Sequence, residues 1–206
     1  MFKYFKKQNK KNISRGFTLV ETLVAIGIFS TSILVMMVVL GAGISDTNYA
    51  KRKIIATYLA QEGIEYIRNI RDTYELFPTN IGGDGWVDFK VAVSNCISNS
   101  NNKSGCLFYD GNLIPGDEDP MNSIKILPCE DTDNLCTKGI LYYDPATGRY
   151  NPGQANFFPS SGFTRSIIVE FLGNVDEIKV SSTVHWKQGS GDQSVTFSEN
   201  LFNWIQ

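Results

Sequence analysis

Histidine occurs once in this chain, at His185, and that scarcity removes several chemistries. A serine or cysteine nucleophile served by an imidazole base has no second supporting pattern here, and His185 lies in the strand-like stretch TVHW, where it reads as a partly exposed sheet residue. Zinc is disfavoured too. Nine residues separate Cys96 from Cys106 and six separate Cys129 from Cys136, neither gap fits the usual spacing of zinc ligands, and no histidine is near. Proline is absent before Pro78, so no ring interrupts the early part of the chain. Acids are absent before Gly16, while basic residues are scarce after it. Six of the 19 basic residues are Lys3, Lys6, Lys7, Lys10, Lys11 and Arg15, which leaves 13 against all 21 acids. That acidic balance argues against a nucleic-acid-binding surface spread over the rest of the protein. No internal repeat is evident.

What is present begins with a long apolar run. Phe17 to Ile44 reads FTLVETLVAIGIFSTSILVMMVVLGAGI, with Glu21 as its only ionisable residue. As a helix rising about 1.5 Å per residue it reaches roughly 42 Å, more than the roughly 30 Å hydrocarbon core of a bilayer requires. The basic block ahead of it places that end in the cytoplasm by the positive-inside bias, and residues after about 45 outside. Four cysteines in the outer part fit an oxidising compartment. A secretory signal has a shorter apolar stretch followed by its cleavage site; here Ser14-Arg15-Gly16 precedes the run.

The order RGFTLVETLVAIGIF, with a small residue, an aromatic residue and then a glutamate four positions later, resembles the cleavage and methylation motif of type IV prepilins. The resemblance implies that a prepilin peptidase cuts between Gly16 and Phe17 on the cytoplasmic side and that the new Phe17 amine is methylated. It also implies assembly into a filament through the N-terminal helix. Glu21 has a physical argument of its own. An acid at bilayer depth costs on the order of 3 kcal/mol, and it needs a partner. Cleavage would create one, because residues 17 and 21 share a helical face and Phe17 would gain a charged amine. Two unit charges about 4 Å apart attract by about 4 kcal/mol at an effective dielectric of about 20. The pair could form within one chain or between neighbours, and the resemblance favours the second; a glutamate that snorkels to the interface is the plain alternative.

From Asp46 to Asp72 the pattern becomes amphipathic. Ile55, Leu59, Tyr66 and Ile70 recur on one side with Ile54, Tyr58 and Ile67 beside them, which predicts one helix from Phe17 to Asp72. Gly27, Gly41 and Gly43 are places for a bend or for close helix packing, and both readings stay open. Many major pilins have a proline in this helix and this chain has none, so a bend has no assigned position. QEGIEYIRNIRD, residues 61 to 72, is similar to the helix end of minor pilins and pseudopilins. After Pro78 the composition turns to Gly, Asn, Asp and Ser with short apolar pieces. WVDFKVAV, Trp86 to Val93, alternates in part and predicts a first strand; Gly139 to Asn151 predicts a hairpin turning at Pro145-Ala146-Thr147-Gly148. Strands are expected at Thr164 to Leu172, Glu177 to Lys187 and Ser194 to Phe202, the last two resembling the C-terminal hairpin of minor pilins of the V type and minor pseudopilins of the I type.

The fold class expected is therefore α+β, a pilin fold in which the long N-terminal helix lies on an antiparallel sheet with disulfide-tied loops. Its parts are a removable basic leader (1–16), a membrane and polymerisation half of the helix (17–44), an amphipathic half (45–75) and a β-rich outer domain (76–206). Four cysteines allow three connectivities, and local pairing, Cys96 with Cys106 and Cys129 with Cys136, is the expectation. Some pseudopilins bind calcium, and Asp117-Glu118-Asp119 and Glu130-Asp131-Asp133 could gather oxygen ligands, although neither follows EF-hand spacing and solvated acidic loops are the default. No cofactor or enzymatic activity is indicated. Trp86, Trp186, Trp204 and the Phe157-Phe158 pair read as core. The resemblance implies a structural subunit, minor rather than major, that waits in membrane lipid as a single-pass protein. Its partners would be other pilin subunits, the prepilin peptidase and the pilus assembly machinery. The alternatives are a membrane-anchored outer binding domain that never polymerises, or a surface hydrolase.

Overall fold

The computed structural model describes residues 16–78, 83–97, 105–110, 124–129, 136, 139–152, 158–173 and 176–203. The chain divides into two units, Met1–Asn48 and Tyr49–Gln206. Helix α1 (Leu19–Leu76) contributes to both. Its stretch before Tyr49 is mostly apolar and has no buried residue, whereas its stretch from Tyr49 is one layer of the second unit.

The second unit is α1 laid on a seven-stranded antiparallel sheet. The strands are β1 (Cys106–Asp110), β2 (Ile124–Pro128), β3 (Ile140–Asp144), β4 (Arg149–Pro152), β5 (Ser160–Phe171), β6 (Glu177–Gln188) and β7 (Gly191–Phe202). β5 is central. It pairs with β6 along one side, and with β3 and β1 at its two ends along the other. β2 and β4 extend those partners, and β7 pairs with β6 over its full length. Alternation decides which face is buried: in β6, Ile178, Val180, Ser182, Val184 and Trp186 point inward while the residues between them are partly exposed. The expected hairpin is present as β3 and β4, with Gly148 at φ 72° closing the turn and the Asp144 carboxylate accepting from Ala146 N and Thr147 Oγ1.

Two assignments made from the sequence are overturned, and the short strands β1 and β2 were not expected. WVDFKVAV is not a strand but most of helix α2 (Gly85–Ala92). Asp84 caps it by accepting from Val87 N at 3.1 Å, and Trp86, Phe89 and Val93 fall on its buried face while Val87 and Val91 face out. The stripe of α1 that meets the sheet is also shifted. Ala56, Leu59, Ala60, Gly63, Ile64, Ile67 and Ile70 are buried, Ile55 and Tyr66 are half-buried, and Ile54 and Tyr58 are exposed. Small residues at 56, 60 and 63 let the helix come close to the sheet, so proximity rather than side-chain size selects the inward face.

The core has two main parts. One joins Ile64, Ile67 and Ile70 of α1 with Trp86 and Phe89 of α2 and Ile167, Val169, Ile178 and Val180 of the sheet. The other joins Ala56, Leu59 and Ala60 with Leu141, Phe163, Val184 and Trp186. Two disulfides tie the loops. Cys96, at the end of the short 3-10 turn Ser94–Cys96, bonds to Cys106 with their Cα atoms 4.6 Å apart, and Cys129 bonds to Cys136 at 5.2 Å. Three arginines join α1 to the sheet by polar bonds. Arg52 donates to Lys187 O at 3.0 Å; Arg165 of β5 donates to Leu59 O at 3.1 Å and to Glu62 Oε2 at 2.7 Å; Arg68 donates to both oxygens of Glu199 at 2.6 and 2.7 Å. Arg165 is nearly fully buried, with its guanidinium 4.1 Å from the centre of the Phe108 ring. Burial pulls its pKa down, against the opposing influence of Glu62.

Candidate functional site

The chemistry expected at the N-terminus rests on Gly16, Phe17 and Glu21, and all are among the described residues. Gly16 and Phe17 precede the helix, both exposed, and Thr18 caps it: Thr18 Oγ1 accepts from Glu21 N at 3.2 Å. Glu21 thus lies in the first turn of α1, where the exposed peptide N–H groups and the helix dipole favour a negative charge. Among the described residues no ion pair involves Glu21. Lys3, Lys6, Lys7, Lys10, Lys11 and Arg15 of the expected leader lie outside the described residues.

Beyond Glu21 the helix presents one chemistry outward. Leu23, Ile26, Phe29, Leu34, Met37 and Leu40 are each more than half exposed, and α1 contains a segment long and apolar enough to cross a membrane, with a mean hydropathy of 2.6. The polar residues inside this run satisfy their own hydroxyls. Ser30 Oγ donates to Ile26 O at 2.8 Å, Thr31 Oγ1 to Ile28 O at 2.9 Å and Ser32 Oγ to Ile28 O at 2.8 Å. These back-bonds cover donors that would otherwise be costly in hydrocarbon. Sequence reading passed over them, although a hydroxyl inside an apolar helix has few other partners. Among the described residues, nothing apart from the adjoining helix backbone lies within 4 Å of where a Cβ on Gly27, Gly41 or Gly43 would stand, so packing among them does not require glycine there.

In the second unit, Trp86 and Trp186 are buried in the core as expected, while Trp204 and Phe157 lie outside the described residues. So do Asp117-Glu118-Asp119 and Glu130-Asp131-Asp133, the segments considered for calcium. Among the described residues no group of three or more His, Cys, Asp or Glu side chains could hold a metal ion. His185 is half-buried on β6; burial pushes its pKa down and Asp192 opposes that. The Glu75 carboxyl is pushed up by burial and then by the nearby Asp84 charge.

Sequence reading missed Arg165, Arg52 and the cleft beside His185. A buried arginine has no periodic signature, and Arg165 stands in β5 at an inward position that alternation assigns to an apolar residue. That break in the alternation, R in TRSIIV, is the one signal that could have found it. No family model matches this chain, and neither does any curated protein or solved structure.

Proposed function

We propose that this chain is a structural subunit, of the minor kind, of a type IV pilus or a related pseudopilus. It is inserted as a precursor, cleaved between Gly16 and Phe17, methylated at the Phe17 amine and assembled through the apolar part of α1. The observation that carries this reading is the order of features at the N-terminus. A basic stretch is followed by Gly16-Phe17, a helix cap at Thr18, an acid in the first helical turn and an uninterrupted apolar helix long enough to cross a membrane. An α+β unit tied by two disulfides fits an outer domain exposed to an oxidising compartment. In this reading the precursor sits in the cytoplasmic membrane with its outer domain on the far side. Other subunits are its main partners, after the peptidase and the assembly machinery.

Glu21 would then act after cleavage. Before it, residue 17 contributes a neutral amide; after it, a charged amine stands four positions from the glutamate. Processing thereby supplies the counter-charge that an acid in hydrocarbon requires. Mass spectrometry of the chain recovered from membranes and from sheared surface filaments tests the reading. The expected mature form begins at Phe17 and carries one methyl group, and Gly16→Leu accumulates at precursor size. An intact leader in the mature protein, or a normal-sized product from Gly16→Leu, would replace the filament reading with that of a membrane-anchored binding domain.

A further inference from the structure

β5 and β6 separate at one end, and the gap they leave has no role in the reading above. Their pairing stops at Phe163↔Trp186, although β6 continues to Gln188 and β5 starts earlier, at Ser160. Gly162, at φ 76°, turns β5 away from the register. Arg52 reaches into the opening from α1, and a Cβ on Gly162 would stand 3.7 Å from Arg52 Nη1. The result is a cavity of about 470 Å³ whose lining includes Arg52, Phe163, Thr164, His185, Lys187 and Asp192. That volume is in the range of small-ligand sites, roughly 300 to 1,000 Å³.

Basic side chains outnumber acidic ones among the described residues that line this cavity. Arg52 commits one nitrogen, Nη1, to Lys187 O, and the rest of its fork has no acceptor among the described residues. The Lys187 ammonium and the ring of His185 likewise have no hydrogen-bond or ion-pair partner among them. Among the described residues, Asp192 is the only carboxylate in the lining. It faces Lys187 across the β6–β7 ladder without forming an ion pair. Two basic side chains, an imidazole and the Thr164 hydroxyl thus belong to residues that line one space from three different elements, α1, β5 and β6.

We propose that this cleft binds a phosphate group, held by Arg52 from α1 and by His185 and Lys187 from β6. A phosphate carried on a larger molecule presents several oxygens in a tetrahedral arrangement, which matches donors arriving from different directions; a planar carboxylate presents two. The phosphate comes either from the headgroup of an anionic lipid or from a small soluble phosphomonoester, and the chemistry of capture is the same. This assignment does not rest on the filament reading.

His185, as the sole histidine, gives one unambiguous imidazole signal by nuclear magnetic resonance. The full chain is placed in phosphatidylcholine nanodiscs and titrated with inorganic phosphate, with glycerol 1-phosphate, and with sodium acetate at matched ionic strength. A second set of discs contains phosphatidic acid and no soluble phosphate. The expected result is a saturable shift of the His185 signals and an increase of its pKa with a phosphate-bearing probe, and no saturable shift with acetate. Lys187→Gln, at an exposed position whose side chain makes no hydrogen bond or ion pair among the described residues, should weaken the apparent affinity by about tenfold or more, as should Arg52→Gln. A response in the phosphatidic acid discs identifies a lipid headgroup, and a response to glycerol 1-phosphate alone identifies a soluble ligand. No saturable shift with any phosphate probe, an equal response to acetate, or an undiminished response in the Arg52→Gln/Lys187→Gln double variant overturns the proposal.

Discussion

Gly63 shows how much one missing atom can decide. A Cβ built there would overlap Ser182 Oγ and press on Ser182 Cβ, so glycine is what lets α1 approach β6 at this level. Gly63→Ala should lower stability by about 1 to 3 kcal/mol, the usual range for overpacking a core. Ser182 is itself informative, because its buried Oγ has no hydrogen-bond partner. Ser182→Ala should be neutral or stabilising, and the double variant Gly63→Ala/Ser182→Ala should recover part of what Gly63→Ala loses. Thermal unfolding of the four proteins in one detergent checks this; no recovery in the double variant would locate the strain elsewhere. Glu75 adds a dependence on pH. Its folded pKa is raised, so its contribution to stability is full below the ordinary carboxylate range and is lost as pH rises through the raised value. Glu75→Gln should therefore melt higher than the wild type near neutral pH and equal it in acid. A gain of the same size at both pH values would separate the effect from ionisation.

Among the elements, α2 is the one that sequence reasoning assigned to the wrong class. WVDFKVAV holds apolar residues at spacings that satisfy both a strand and a helix, and eight residues are too few for periodicity to choose. The deciding group is Asp84, two residues before the segment, whose carboxylate turns the chain into a helix by accepting from Val87 N. Asp84→Asn keeps that bond and removes the repulsion on Glu75, so it should preserve or raise stability. Asp84→Ala should cost about 1 kcal/mol relative to Asp84→Asn. Equal stability of the two variants would contradict the cap. The five-residue strands β1 and β2 went unread, while the remaining elements were more legible. Long strands with strict alternation, β5 to β7, declare themselves, and so does a proline-free helix. The inward stripe of α1 was only partly legible, because Ala56, Ala60 and Gly63 are buried for their small size and carry no hydrophobic signal. The disulfides join residues close in sequence, so loop closure gives each roughly 2 to 3 kcal/mol. Paired serine replacement of Cys96 and Cys106 should lower stability at least as much as replacement of Cys129 and Cys136. The first bond lies in the main core, whereas the second belongs to a small separate cluster with Leu107. Denaturant titration orders the two, and the reverse order would contradict this account.

At the scale of the whole molecule, the proposed filament reading predicts that Glu21→Gln separates insertion from assembly. Removing a charge eases membrane insertion, and cleavage at Gly16 should survive because Glu21 lies beyond the new N-terminus. Incorporation into filaments should fall, since a neutral amide cannot balance the Phe17 amine. The ratio of this subunit in sheared filaments to its membrane pool measures the effect, and an unchanged ratio would remove Glu21 from assembly. The three arginine attachments also have a mechanical consequence. From Arg52 to Arg68 they are spread along α1 over about 24 Å, one each to β6, β5 and β7. A pull along the axis from the Tyr49 end of the helix meets all three side-on and together, so the load is shared as shear and the bonds cannot be peeled one by one. Under tension, this half of α1 should stay on its sheet until the attachment fails as a single event.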